Sequence, residues 1–117
     1  MELVAFLGKD KETWGQITGL INKGEWDKVV LVRVKDAEPF PIPENGKEVI
    51  VDASQSLVDL KSDLLKKLKP NLSGLECALS IASGNGKEHM ALISALLSLP
   101  VGIRLAVFTK KGIEYIN

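Results

Sequence analysis

Five short runs of mostly apolar residues constrain the fold of this chain most strongly. Turn-forming or helix-forming residues separate each run from the next, as is typical of strands buried on both faces of a sheet. The predicted strands are Leu3–Gly8, Lys28–Val34, Glu48–Ser54, Glu76–Ser83 and Val101–Thr109. A shorter strand, Ile113–Ile116, follows a Lys-Lys-Gly turn and is predicted to pair with the fifth strand as a hairpin.

Helical periodicity fills three of the intervals between these strands. Trp14, Ile17 and Leu20 share one helical face, and a second helix is predicted after Ser56, a capping residue with Asp59 three positions on. The third predicted helix covers the run "MALISALLSL". It is apolar nearly all round, which predicts that either the core or another subunit covers it.

The interval between the second and third strands cannot be helical, because Pro39, Pro41 and Pro43 alternate with Phe40 and Ile42. It is predicted to be an extended loop that ends in an Asn-Gly turn. Strands that alternate with helices indicate a parallel sheet with crossover connections. We therefore predict one domain, 1–117, with a Rossmann-like three-layer α/β fold. Its mostly parallel sheet has about five strands and a C-terminal antiparallel hairpin strand.

The composition of the chain excludes several classes of function. Lys plus Arg and Asp plus Glu each number 15, so the formal net charge is zero, which argues against a general binder of duplex nucleic acid. The single cysteine, Cys77, excludes an internal disulfide and a zinc site built from cysteines. No acidic pair has metal-ligand spacing, and neither a metal nor a cofactor is predicted. The start "MELVAFLG" lacks a basic n-region and every apolar run is short, so we expect a cytoplasmic protein without a membrane segment.

Ligands of open parallel sheets bind beyond the carboxyl ends of the strands. Four segments of this chain follow predicted strand ends: Gly8–Lys11, Ala53–Gln55, Ser83–His89 and Thr109–Lys110. Lys35–Asp36, after the second strand, is placed on the rim of the same edge.

The segment "SGNGKEH" combines several features of an anion site. Gly84 and Gly86 allow a sharp turn and close approach to main-chain N–H groups, and a helix N-terminus follows. Lys87 adds a positive charge, while Ser83 and Asn85 add neutral hydrogen-bonding groups. These residues predict a phosphate site. An ordinary strand-to-helix turn explains the same glycines, and both interpretations remain open at this stage.

More specific phosphate motifs are absent. A P-loop requires glycine and Ser or Thr where this chain has Ile81 and Glu88, and a dinucleotide fingerprint requires glycine where it has His89. There is no Gly-x-Ser-x-Gly nucleophile motif. His89 is the only histidine. Its side chain could act as an acid or base, pack beside the sheet or face water. Cys77 lies within an apolar strand, which favours a buried side chain over a nucleophile.

Two stretches, "ALSIASGNGKEHMALISALLSL" and "VGIRLAVFTKKGIEYI", resemble the CRISPR-associated Rossmann-fold (CARF) ligand-binding domains. The resemblance implies a homodimer whose two-fold pocket binds a cyclic oligoadenylate or related nucleotide. This chain differs in having its proline-rich loop where the family usually has a helix. The predicted ligand-binding residues all lie at the end of a predicted strand or just after it: Gly8, Lys9, Ser54, Ser83, Gly84, Asn85, Gly86 and Lys87.

Some members of that family also cleave their ligand without a metal, by attack of a ribose 2′-OH on the adjacent phosphate. By resemblance, Lys87 would stabilise the developing charge, and Ser83 or Asn85 would orient the phosphate. Two other hypotheses remain open. The chain is either a non-catalytic regulatory or structural subunit with a vestigial pocket, or a small phosphate-handling enzyme that uses His89. The "PFPIP" loop favours a protein partner, because its apolar residues have little local core to fill.

Overall fold

Six strands form one sheet: β1 (Glu2–Leu7), β2 (Val29–Val34), β3 (Gly46–Val51), β4 (Glu76–Ser80), β5 (Gly102–Thr109) and β6 (Gly112–Tyr115). The computed structural model describes residues 1–117. The strand order is β3-β2-β1-β4-β5-β6. The first five strands run parallel, and β6 pairs antiparallel with β5. This order is that of the doubly wound Rossmann fold.

Three helices cover the sheet: α1 (Trp14–Lys23), α2 (Leu57–Leu68) and α3 (Gly86–Leu97). Two short 3₁₀ turns, Lys11–Thr13 and Lys69–Asn71, accompany α1 and α2. Side chains of α1 pack in the core on one face, and those of α2 and α3 pack in the core on the other. The predicted fold class, a three-layer Rossmann-like α/β fold with a C-terminal antiparallel hairpin strand, is confirmed. None of the helices is long and apolar enough to cross a membrane.

The central strand β1 shows how the sequence builds both layers. Leu3, Ala5 and Leu7 enter the core beneath α1, whereas Val4 and Phe6 enter the core beneath α2 and α3, and all five are fully buried. Successive side chains of a strand point to opposite faces, so an unbroken apolar run fills two layers at once. Because both faces of β1 are buried, the loop after β1 begins between the neighbouring strands β2 and β4.

The proline-rich connection between β2 and β3 has no helix, as predicted. It ends in a turn in which the Gly46 amide donates to the Pro43 carbonyl (2.8 Å). Phe40, however, is buried (7% exposed) and packs edge-on against the Trp14 ring at 5.5 Å. The expectation that the loop's apolar residues find no core was therefore wrong for Phe40. Ile42 is 42% exposed.

The strands preceding the candidate site end earlier than predicted. β3 ends at Val51 rather than Ser54, and β4 ends at Ser80 rather than Ser83. In both places the next polar side chains bind loop backbone instead of continuing the sheet. The predicted cap of α2 is confirmed, because the Ser56 hydroxyl accepts from the Asp59 amide at 3.2 Å.

Helix α3 is covered by the core on one side only. Ala91, Leu92 and Leu96 are fully buried, while Met90 and Leu97 are 61% and 71% exposed. The apolar residues of α3 therefore lie in two environments. One face belongs to the core and the other is a solvent-facing apolar stripe.

Candidate ligand-binding cleft

A cleft of about 510 Å³ opens at the carboxyl edge of the parallel strands. It lies where the chain order reverses, because β1 is followed in sequence by its neighbour on one side and is flanked by β4 on the other. Such a reversal leaves a crevice between diverging loops, which is the usual ligand position in open α/β sheets. The loops after β1, β2, β3 and β4 line it.

Four of the eight predicted ligand-binding residues line the cleft: Lys9, Ser54, Gly84 and Asn85. Gly8 and Ser83 are buried behind the surface, where they join two loops. Gly86 and Lys87 are exposed but do not line this cleft. The fold thus brings the predicted segments together. Some of their residues line the cleft, some are buried behind it, and others are exposed outside it.

The loops after β1 and β4 are tied together by Asp10 and Ser83. The Ser83 hydroxyl accepts from the Gly8 amide (2.9 Å) and donates to Asp10 Oδ1 (2.8 Å). The Gly84 amide donates to the same Asp10 oxygen at 3.0 Å. Thr13 Oγ lies 3.1 Å from Asp10 Oδ2 and 2.7 Å from the Asp10 carbonyl oxygen, so these two acceptors share its hydroxyl proton. We call the Ser83 hydroxyl and the Gly84 amide the Asp10 cage.

Glycine is required where these two loops meet. Gly84 has φ +103°, and a Cβ there would lie 2.8 Å from the Phe6 ring and 3.0 Å from the side chains of Glu88 and His89. A Cβ on Gly8 would lie 2.7 Å from the Gly84 Cα. The glycines thus permit backbone-to-backbone contact of the loops, which a side chain would prevent.

Asp10 is an anion within this contact. Partial burial alone would raise its pKa, but hydrogen bonds from Ser83 and Gly84 outweigh burial and lower the pKa below the ordinary range. The carboxylate is therefore ionised at neutral pH. It accepts hydrogen bonds from the Ser83 hydroxyl and the Gly84 amide, which the sequence pattern predicted as donors to a phosphate.

A second carboxylate caps the start of α3. Glu88 Oε1 accepts from the Asn85 amide and the Asn85 side chain accepts from the Glu88 amide, each at 2.9 Å. This reciprocal pair is a capping box. The amides of Gly84 and Asn85 are thus both bonded to the protein's own carboxylates. Those of Gly86 and Lys87 have no hydrogen-bond partner within the chain.

Lys87 connects two loops. Its ammonium group donates to the carbonyl oxygens of Ala53 (3.0 Å) and Gln55 (2.5 Å), which tie the start of α3 to the β3–α2 connection. A phosphate contact by Lys87 stays a prediction. The two carbonyls use two of the three N–H donors of its ammonium group, and one donor is left for another acceptor.

His89 supports the β4–α3 loop from behind. Its Nε2 lies 2.7 Å from the Ser83 carbonyl oxygen. A carbonyl can only accept, so Nε2 carries the proton. The ring meets Phe6 edge-on, with centroids 6.2 Å apart. These contacts satisfy His89 without a ligand, and its side chain does not line the cleft.

Two ion pairs form the rim of the cleft. Lys9 pairs with Asp36 at 2.5 Å, and Lys35 pairs with Asp52 at 3.1 Å. Lys9 lowers the pKa of Asp36, and Asp36 raises that of Lys9. Hydrogen bonds from Ser54, followed by Lys35, lower the pKa of Asp52 to about 2. Lys9, Asp36 and Asp52 are therefore charged at neutral pH.

Sequence reasoning placed Asp52 inside the third predicted strand and gave no role to Glu88, although the predicted segment Ser83–His89 contains it. Asp52 directly follows β3, and Glu88 stands three residues after the capping Asn85, so their positions were readable once the strand and helix boundaries were known. With them the lining holds four carboxylates and two lysines. These carboxylates do not converge into a group that could hold a metal ion. Burial raises the pKa of the Cys77 thiol to about 11, which removes it as a nucleophile.

The fold and the cleft together define a class, a Rossmann-like α/β protein with a polar crevice at its topological switch point. No known protein-family model matches the chain, and comparison with characterised proteins finds no significant similarity.

Proposed function

We propose that this chain is a nucleotide-sensing domain of CARF type, which binds a cyclic oligoadenylate or related phosphate-containing ligand in the cleft. The observation that supports it is the cleft's composition at the switch point. Lys9 and Lys35 stand at its rim with side chains 67% and 60% exposed, close to the beginning of α3. Exposed amines attract phosphates, and the carboxylates accept from ribose hydroxyls or base amino groups.

The proposal includes a homodimer. Met90, Ile93 and Leu97 lie along one side of α3, where they line a shallow groove with Gly86 and Ser94. Met90 and Leu97 are two helical turns apart and therefore share a face. Ile103 and Leu105 of β5 pack on the same side of the sheet and are only half-buried. An apolar stripe beside an incompletely covered strand favours a second copy as its partner.

Binding without cleavage is the activity that the geometry supports best. Ser83 is fully buried and Lys87 is held by two carbonyls, so neither residue faces the cleft in this conformation. Cleavage by the ligand's own 2′-OH would require a donor to move to the developing charge. The phosphate-handling enzyme with His89 as acid or base has less support, because that ring is committed to the Ser83 carbonyl.

Calorimetry with cyclic tetra-adenylate and cyclic hexa-adenylate tests the proposal. The wild type is expected to bind one of them, and Lys9→Ala is expected to weaken binding by about 10- to 100-fold, as for loss of a charge-assisted hydrogen bond. Lys23→Ala is the matched control, since Lys23 is exposed in the last turn of α1. Absence of heat at high micromolar ligand would contradict the proposed function.

The alternative function is a non-catalytic interaction subunit with a vestigial pocket. The excess of carboxylates in the cleft favours it, as does an apolar groove formed by Ile21, Phe40 and Ile42 between α1 and the proline-rich loop. The calorimetry separates this alternative from the nucleotide-sensing function, and light scattering tests the homodimer. A dimer that Leu97→Glu converts to monomer supports the α3 interface. A monomeric wild type at high concentration argues against it.

A further inference from the structure

We infer that Asp10 is a built-in anion that determines which part of a ligand the inner end of the cleft accepts. Its carboxylate fills the position that a phosphate would take on the β4–α3 loop. A hydrogen-bond donor of the ligand is therefore expected there, and the phosphate lies further out, towards Lys9 and Lys35. The identity of that ligand rests on the proposed function, whereas the exclusion of phosphate does not.

The hydrogen bonds leave a phosphate no donors at this position. Ser83 is fully buried, and its oxygen already accepts from the Gly8 amide, so its proton is directed to Asp10. The Gly84 amide is directed to the same carboxylate oxygen. Gly84 cannot turn away, because its backbone contacts Gly8 at a distance that admits no Cβ. A phosphate would have to displace Asp10 to reach either donor.

The electrostatics act in the same direction. Asp10 and Glu88 place two carboxylates beside the β4–α3 loop, and both line the cleft. A phosphate in contact with them would meet like charge in a partly desolvated crevice. The cationic groups that line the cleft, Lys9 and Lys35, both belong to the rim. The two ends of the cleft therefore prefer opposite parts of a nucleotide.

An ionised carboxylate is acceptor-only and retains lone pairs beyond those already used. In a ribonucleotide the groups that can satisfy it are the ribose hydroxyls and the amino group of adenine. Asp10 is thus expected to select for the sugar or the base at the inner end. Inorganic phosphate or sulfate alone is expected to be rejected there.

The test uses inorganic phosphate as the probe and ¹⁵N-resolved NMR of the Gly84 amide as the readout. Asp10→Ala frees the two cage donors and is expected to bind phosphate at least tenfold more tightly than the wild type, with a shift of the Gly84 resonance. Asp36→Ala is the matched control, because it removes one cleft carboxylate without freeing those donors. Asp10→Asn retains an acceptor in the cage and is expected to gain no phosphate binding.

Three results would overturn the inference: no gain in Asp10→Ala, a phosphate-dependent shift of the Gly84 amide in Asp36→Ala, or such a shift in the wild type. Tighter phosphate binding in Asp36→Ala without a Gly84 shift agrees with the inference, because that variant frees Lys9 at the rim. The wild-type titration decides the matter even where Asp10→Ala fails to fold. A shift confined to Lys9 and the start of α3 supports the inference. Because the probe is phosphate, failure to bind cyclic oligoadenylate would reject the proposed function and leave this result intact.

Discussion

Two carboxylates at opposite ends of the β1–β4 pair make nearly the same contacts. At the amino edge, Glu2 accepts from the Ser73 amide (3.0 Å), the Ser73 hydroxyl (3.1 Å) and the Gly74 amide (3.2 Å). At the carboxyl edge, Asp10 accepts from the Ser83 hydroxyl and the Gly84 amide. A Ser-Gly pair thus stands on each side of β4, and each pair is bound by a carboxylate from the end of β1.

The surroundings make these two arrangements different. Glu2 is 5% exposed, and none of the larger clefts lies beside it, so its carboxylate joins one turn to the sheet. Asp10 lines a cleft of about 510 Å³. A carboxylate bound to a Ser-Gly pair is therefore not by itself a functional site. The divergence of loops at the switch point makes the second one accessible to a ligand.

Alanine at the two glycines gives the largest expected difference. Gly84→Ala introduces a side chain at φ +103° against Phe6, and strain and overpacking together are expected to cost about 2 to 4 kcal/mol. Gly74→Ala places its Cβ 3.2 Å from the flexible Glu2 carboxylate and is expected to cost less than about 1 kcal/mol. Urea unfolding measures both. Equal losses would show that the two turns are equally constrained.

Removal of the carboxylates is the next test. Glu2→Ala and Asp10→Ala are each expected to lose about 1 to 3 kcal/mol, because each removes charge-assisted hydrogen bonds. Phosphate at ten times its dissociation constant is expected to restore about 1.4 kcal/mol to Asp10→Ala alone. The readout is the unfolding midpoint with and without phosphate. Equal recovery of Glu2→Ala would mean that the cleft is not what distinguishes the two sites.

Lowering the pH is expected to have a smaller effect on the free energy of unfolding. The folded-state pKa of Asp10 is lowered, so its stabilisation is fully present above its unfolded pKa, about 3.9, and is lost as the pH falls below that value. Asp10→Asn is expected to reduce the loss of stability below about pH 4. Asp36 and Asp52 titrate in the same acidic range, so part of the slope remains in the variant. An unchanged slope would contradict the assigned role of Asp10.

The smallest expected effect on stability is that of Lys9→Ala. The Lys9–Asp36 pair is exposed on both sides, and such pairs contribute about 0 to 1 kcal/mol. Its loss is therefore expected to shift the unfolding midpoint little, although it weakens ligand binding. A large destabilisation would show that Lys9 acts mainly through the fold, which would weaken its assignment to the ligand site.

Much of the fold was predictable from local pattern. The runs around Val4, Val30 and Leu79 could only be strands buried on both faces, and Pro39, Pro41 and Pro43 excluded a helix. The site was predictable as a set of loops, because the carboxyl ends of parallel strands share one edge. The burial of Phe40 was not, since its partner Trp14 lies far away in sequence and only packing brings them together.

The roles of individual site residues required tertiary contacts. The amine of Lys87 binds carbonyls of the β3–α2 connection, and Ser83 binds Asp10 from a loop 73 residues away. Neither pairing has a local signature, because both join loops that meet only after the sheet has formed. For His89, the contacts with the Ser83 carbonyl and the Phe6 ring select packing beside the sheet among the roles that the sequence left open.

By itself the sequence determined which segments are strands and which are helices, and the edge of the sheet where the loops gather. These follow from side-chain periodicity and backbone preference, which act over a few residues. Only the tertiary structure decided that Asp10 holds the donors of Ser83 and Gly84. Hydrogen bonds between distant loops depend on the order and register of β1 and β4, which no local stretch of the chain encodes.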